Sequence, residues 1–399
     1  MALLLQRARL ADGRLVDVRV DGERIADVGP DLPPAASDRA VELDGHVLLP
    51  AAAEPHAHID KAFLADRIPN ERGDLDGAIE AVLAHREVFT VEDIAERAER
   101  AARVMLMNGV TAIRTHADVM SDHGLRSVEG LVRARERLAG VVELQIVALM
   151  GWPVTGAAGA EHRAMLREAI AIGADVVGGC PHLEPEPVAA TETLLSIAAE
   201  HGRPIDLHSD EQLNPDVLYV RDFAAQVTAT GFAHGAVASH CVSLGVQPAD
   251  RQAQVAAELA AAGIAVVTLP QTNLYLQGRA HPTATPRGLT ALRPLLDAGV
   301  TVAGGADNLQ DPFNPLGRAD PLETAALLVL AGHLSPGEAY HAVSTAARTA
   351  IGLPEVAVAP GSPAELVAIP AASLREAIAF APGPRVVVHR GVIVAPSTG

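Results

Sequence analysis

Five times along the middle of the chain, a helical run stops on a glycine and passes at once into a short apolar stretch. The first, IAERAERAARVMLMN, opens behind Thr90 and Asp93, placed like a capping box, ends at Gly109 and continues as VTAIRTH. AIAIGADVVGG, AAEHGRPIDLHSDE, LAAAGIAVVTLP and LLDAGVTVAGGADN repeat the grammar. This is the βα rhythm of a parallel sheet, whose strands read as short apolar runs because helices cover them on both faces. Collecting all such runs predicts eight strands, at 53–58, 111–116, 143–149, 174–179, 204–208, 236–240, 264–269 and 301–307. Eight units over roughly 290 residues match an α/β fold of the (β/α)8 TIM-barrel type better than an open Rossmann sheet, and no glycine fingerprint follows the first strand. Barrels of this kind carry function at the C-terminal ends of their strands, and here those ends read HAH, RTHAD, HSDE, SH and ADN. The repeats point at one shared rim.

The flanks follow another period. Residues 1–49 give LLLQRARL, RLVDVRV and ERIADVG with turn signals at Asp12-Gly13 and Asp21-Gly22; from 357 onward come ELVAIP, PRVVVHR and GVIVA between GSP and PGP turns. The two ends are expected to pair as a small β-sandwich domain, 1–49 with 357–399, beside a barrel domain at 50–356.

Composition narrows the function classes. With 49% hydrophobic and 20% charged residues the chain is globular, and no apolar run approaches the roughly 18 residues of a membrane helix. The start, MALLLQRARL, is too short in apolar residues for a secretory signal, so a cytoplasmic location is expected. A formal charge of −18 argues against nucleic acid or an anionic membrane as partner and favours a small molecule. Cys180 and Cys241 form no disulfide framework and fit no zinc knuckle; buried thiols are expected. A homo-oligomer is the expected assembly.

In a strand, residues i and i+2 face the same side, so His56 and His58 can both point into the barrel mouth. His208 and His240 end later strands and Asp307 ends the eighth. Two histidines alone would usually be ordinary surface or core residues. Four histidines and an aspartate in phase with the barrel repeat are a metal site, of a mixed set that zinc or ferrous iron accepts while keeping a position for water. His116, also at a strand end, is expected to support a ligand by a hydrogen bond. His85, His162 and His201 lie on polar segments and read as solvated surface.

Together, PHAHID, RTHADV, QIVAL, GADVVGG, HSDE, LQGR and DPFNPLG resemble, in order and over nearly the whole chain, the cytosine deaminase-like branch of the amidohydrolase superfamily. The resemblance implies a barrel with a β-sandwich, one catalytic metal ion per chain (zinc first, ferrous iron second) and hydrolytic deamination or a near relative. Carried over residue by residue, it makes His56, His58, His208 and Asp307 the metal ligands, Glu211 the proton shuttle and His240 the partner of the attacking water, with Asp307 able to take a water proton. Two-metal members bridge their ions with a lysine from the fourth strand; ADVVGGC has none, and Lys61, the only lysine in the chain, follows the first strand too closely to serve.

The match breaks where substrate would be read. Cytosine-deaminating members place a glutamine after the third strand; here QIVAL continues as MGWP, and the second of two adjacent aspartates after the eighth strand is Asn308. Losing a recognition group from a buried polar site costs orders of magnitude in discrimination, so cytosine itself is not the expected substrate. Candidate substrate contacts are Lys61, Trp152, Gln277 and Asn308. Trp152 could stack on a ring or pack under a loop. Lys61 could pair with Asp60 or Asp66, donate to the substrate, or be an accident of an arginine-biased chain. The leading reading is a metal-dependent hydrolytic deaminase of a small amino-substituted N-heterocycle. Hydrolysis of a cyclic amide or of an N-alkylamino substituent is the alternative, and a non-catalytic metal-binding scaffold the remote one.

Overall fold

Alternating strands separated by tight turns form the flanking sheet, and glycine-stopped apolar runs form the barrel. The computed structural model describes residues 2–36 and 38–395. The N-terminal strands are β1 (Leu3–Arg9), β2 (Leu15–Asp21), β3 (Arg24–Gly29), β4 (Arg39–Glu42) and β5 (Val47–Pro50). The eight barrel strands follow: β6 (Ala52–Ala57), β7 (Val110–Val119), β8 (Glu143–Met150), β9 (Val176–Gly179), β10 (Ile205–Ser209), β11 (Ala236–His240), β12 (Ala265–Thr268) and β13 (Val302–Gly304). The chain returns to the flanking sheet with β14 (Leu366–Ile369), β15 (Val386–His389) and β16 (Val392–Ala395).

All eight expected barrel strands form, in sequential parallel order from β6 to β13. The ring closes at the rim: Asp307 N–H donates to the His56 carbonyl at 3.0 Å and His58 N–H to the Asp307 carbonyl at 2.9 Å. Closure and candidate site therefore share residues. Every residue of β7 is buried, as expected for a strand covered on both faces. Gly231 and Gly263 take left-handed conformations at φ +63° and +65°, ending their helices where a side chain would strain the backbone.

In the second sheet, β4 and β5 both pair with the same edge of β1, so the sheet forks. Side chains from both branches, including Leu5, Val18, Leu48 and Leu366, share one apolar core, which folds the sheet over on itself. Pairing of β14 with β5 joins the two ends of the chain as expected. Arg385 ties this unit to the barrel, forking onto Asp320 at 2.7 and 2.8 Å and donating to the Asn108 carbonyl at 2.6 Å. Among the described residues no helix is long and apolar enough to cross a membrane.

Between β6 and β7, a stretch without helix–glycine–strand punctuation forms the helix Leu75–Ala84. Asp74 caps it, its side chain accepting from Gly77 N–H at 2.8 Å.

Candidate active site

Strand ends aim the polar residues. His240 and Asp307 sit at φ +68° and +64°, and Asp210 at +48°, conformations uncommon outside glycine. Three such residues at the ends of β10, β11 and β13 mark a rim where backbone turns sharply to point side chains inward.

His58 Nε2 lies 3.2 Å from His208 Nε2 and 3.3 Å from Asp307 Oδ1, and His56 Nε2 lies 3.6 Å from that oxygen. Ligand atoms about 2.0–2.1 Å from a tetrahedral ion stand roughly 3.3 Å apart, so this spacing fits a divalent cation. Buried polar atoms normally have partners, yet His56 Nε2, His240 Nε2 and Asp307 Oδ1 have no hydrogen bond. Burial, then the neighbouring imidazoles, drive His56 well below its ordinary pKa; burial, then Lys61, does so for His58. Burial and His182 push His208 down to about 3. These rings are neutral, the form that offers a lone pair to a metal, and their contacts with Asp307 are not salt bridges. Burial, then Glu211, raises the Asp307 carboxyl; a cation among these donors reverses that. The cluster can hold a divalent metal ion.

His56 is held from behind. Its Nδ1 lies 2.9 Å from Ser239 Oγ, whose own proton goes to Asp206 Oδ1 at 2.9 Å, so Nδ1 carries the donated hydrogen and Nε2 is left free to ligate. Arg114 donates to the other Asp206 oxygen at 3.0 Å. This corrects the expectation for His116: its Nε2 stands 4.0 Å from Asp206 Oδ1, beyond hydrogen bonding, and its ring packs on His56 at 3.8 Å between centroids. His116 also falls within reach of His56 and His208 as a third nitrogen of that group. Ser239, which supplies the expected support, carries no signal in the sequence beyond preceding His240.

Glu211 stands beside this cluster, its Oε1 3.4 Å from His240 Nδ1, and burial raises it to about 8. The Asn273 amide lies 3.2 Å from the same nitrogen and fixes the ring. His58, His208, Glu211, His240, Asp307 and Asn308 line one cavity together with Lys61 and Trp152. Gln277 does not line it; its amide donates to the Glu211 carbonyl at 3.2 Å and holds the loop that carries the carboxyl. Asn308 is engaged on both sides, donating to Asp311 at 2.8 Å and accepting from Thr272 at 3.3 Å.

Lys61 is 3% exposed, donating to Asp118 at 2.6 Å and Asp60 at 3.2 Å. Asp66 is not its partner. Burial works against the ammonium, but the two aspartates outweigh it and raise its pKa. Burial would lift Asp118; Lys61 and then Arg86 instead hold it well below the carboxylate range. Arg86 and Asp118 both line the cavity; Arg86 sits in no sequence motif, and Asp118, which closes the RTHAD strand end, goes unassigned as a site residue from sequence. His162 is likewise not solvated: its nitrogens meet Ser121 Oγ at 3.1 Å and the Pro153 carbonyl at 2.8 Å.

A family model described as "Amidohydrolase family" matches residues 39–395. The chain belongs to the amidohydrolase family. Among its relatives, this amidohydrolase is 34% identical over 393 residues to a pterin deaminase of Rhizobium rhizogenes, covering 96% of this chain and 86% of the relative. The 5-methylcytosine deaminase of Klebsiella pneumoniae, solved with 5-fluorocytosine, superposes with a TM-score of 0.88 at 27% identity, over 98% of this chain and 97% of that one. The N-isopropylammelide isopropylaminohydrolase of Burkholderia multivorans gives 0.85 at 31%, over 98% of each chain. The amidohydrolase reading from sequence is therefore correct, and the chain is a hydrolase of non-peptide C–N bonds.

Proposed function

We propose that this amidohydrolase is a mononuclear metal-dependent aminohydrolase that removes the amino group of a small N-heterocycle. The observation that carries the reading is Glu211: a buried carboxyl, protonated at neutral pH, beside His240 at the edge of the His/Asp cluster. His56, His58, His208 and Asp307 hold one divalent ion, zinc in the first place and ferrous iron in the second. Such an ion supplies Lewis-acid chemistry, lowering the pKa of water from about 15.7 toward about 7. Glu211 protonates a ring nitrogen and makes the ring carbon electrophilic. His240 holds the attacking water in line, and Asp307 is positioned to take its proton. A C–O bond forms and the C–N bond breaks; one water proton leaves with the amine as ammonia, and the other remains on the product. Lys61, held by Asp118 and by both oxygens of Asp60, lines the same cavity and serves a substrate acceptor from there. Trp152 covers the ring.

The relatives that deaminate a pterin and 5-methylcytosine support a fused or substituted pyrimidine ring over unsubstituted cytosine. The test is ammonia release by purified, metal-loaded protein from a panel of aminopyrimidines, aminoimidazoles, pterins and triazines; release from none would refute the assignment. The relative named for isopropylamine removal favours a second reading, loss of an N-alkylamino group. Mass spectrometry separates the outcomes, since deamination exchanges NH for O, dealkylamination frees an alkylamine, and ring opening adds a whole water.

A further inference from the structure

The cavity that holds Glu211 and the metal cluster has two chemically different contributors. Strand ends and the segments after them supply its polar groups, whereas the helix Leu75–Ala84 supplies Leu75, Ile79, Val82 and Leu83. These recur at helical spacing and form one apolar face. Only Val82 of the four is committed elsewhere, packing with Leu64, Ile68, Phe89 and Ile94. Leu75 and Ile79 are half-buried, and Leu83 is 41% exposed. Trp152, Leu183 and Phe313, each half-buried, line the same cavity. Apolar side chains left half-covered in a cavity that already contains the reacting groups call for an apolar occupant, because covering them from water is favourable in proportion to area.

The polar groups of this cavity, Glu211 and Asn308 among them, can serve the oxo and amino groups of a heterocycle. Such groups set against Leu75, Ile79 or Leu83 would instead lose hydrogen bonds to water without replacement, because these side chains offer no donor or acceptor.

We infer that the substrate carries an alkyl or aryl substituent that docks against Leu75, Ile79, Leu83 and Phe313, making this helix the determinant of specificity. The inference rests on the proposed C–N hydrolysis at Glu211. The substituent has two possible attachment points, a ring atom or the departing nitrogen.

The experiment compares kcat/KM of the metal-loaded enzyme across two series built on one aminoheterocycle core that it hydrolyses. One series carries hydrogen, methyl, ethyl or propyl on a ring carbon, with release of ammonia measured. The other carries the same groups on the exocyclic nitrogen, with release of the alkylamine measured. In one series kcat/KM should rise roughly tenfold or more per methylene, the lower end for a methylene in a hydrophobic pocket. In that series Leu83→Ser and Ile79→Asn should collapse the ratio of propyl to hydrogen toward one. Leu83 is exposed enough for its replacement to fold, which circular dichroism checks. Ratios near one in both series, or ratios untouched by the substitutions, overturn the inference while leaving hydrolysis intact. Hydrolysis of no core at all overturns the proposed function instead.

Discussion

At the scale of single residues, the site depends on charges held away from their ordinary states. Glu211 is the clearest. Its folded pKa of about 8 lies above an unfolded value of about 4.3, so the folded protein holds this proton more tightly. Its contribution to stability is complete below pH about 4 and is lost as pH rises through about 8. Glu211→Gln should therefore retain bound metal, lose ammonia release by at least two orders of magnitude, and melt higher than the parent by a margin that grows from pH 5 to pH 9. Turnover unchanged, or a margin independent of pH, would remove Glu211 from its role. In the parent, kcat/KM should fall above pH about 8 as this acid deprotonates. Lys61 carries the opposite dependence through Asp118, whose depressed folded pKa gives stability above its unfolded value of about 3.9 that is lost as pH falls. Lys61→Met leaves Asp60 and Asp118 short of a buried partner and should cost about 3 kcal/mol, read by denaturant titration at pH 7. Lys61→Arg, too broad for this niche, should lower stability; an unchanged KM would limit Lys61 to pairing.

At the scale of elements, the barrel strands are legible in the sequence because a strand covered by helices on both faces has to be a short apolar run, and Gly109, Gly173, Gly202, Gly263 and Gly299 mark where each helix stops. The candidate metal ligands are legible for a related reason, since i and i+2 at a strand end share a face. What escapes is whatever is not in phase with that repeat. The helix Leu75–Ala84 carries Gly77 within it and is short, so nothing in its composition announces a wall of the cavity. Ser239, Asn273 and Arg86 come into the site through tertiary contacts that no spacing encodes. The helix has its own prediction. Asp74 caps its N-terminus, and Asp74→Ala should cost the helix about 1 kcal/mol. Few side chains anchor this segment, so amide exchange should accelerate across residues 75–84 more than in the barrel strands. KM should rise with little change in kcat, because binding is lost without altering the reacting groups.

At the scale of the whole molecule, one polar network crosses the barrel interior and ends at the metal cluster. Gln145 on β8 accepts from Arg114 on β7 at 3.0 Å, and Arg114 reaches Asp206 on β10. Asp206 receives Ser239 from β11, and Ser239 holds His56 on β6. Five of the eight strands thus meet in a chain that selects which nitrogen of His56 carries hydrogen. Glu54, raised to about 8 by burial, closes the seam beneath, accepting from the backbone N–H of His56 and Ala306. Barrel closure and ligand orientation rest on the same residues, so binding of the ion should stabilise the fold as a unit. At a hundredfold excess over Kd the gain is about 2.7 kcal/mol, seen as a fall in Tm on chelation and its recovery on adding zinc. The network separates orientation from mere packing. Ser239→Ala removes the acceptor for His56 Nδ1–H and little volume, and should weaken metal affinity about 10–100-fold in chelator competition. Asp206→Asn should act in the same direction through the turned serine hydroxyl, and the pair of substitutions should be less than additive because both break one chain. Additive losses would mean that the two residues act separately, and full metal affinity in both variants would reduce the network to a structural prop.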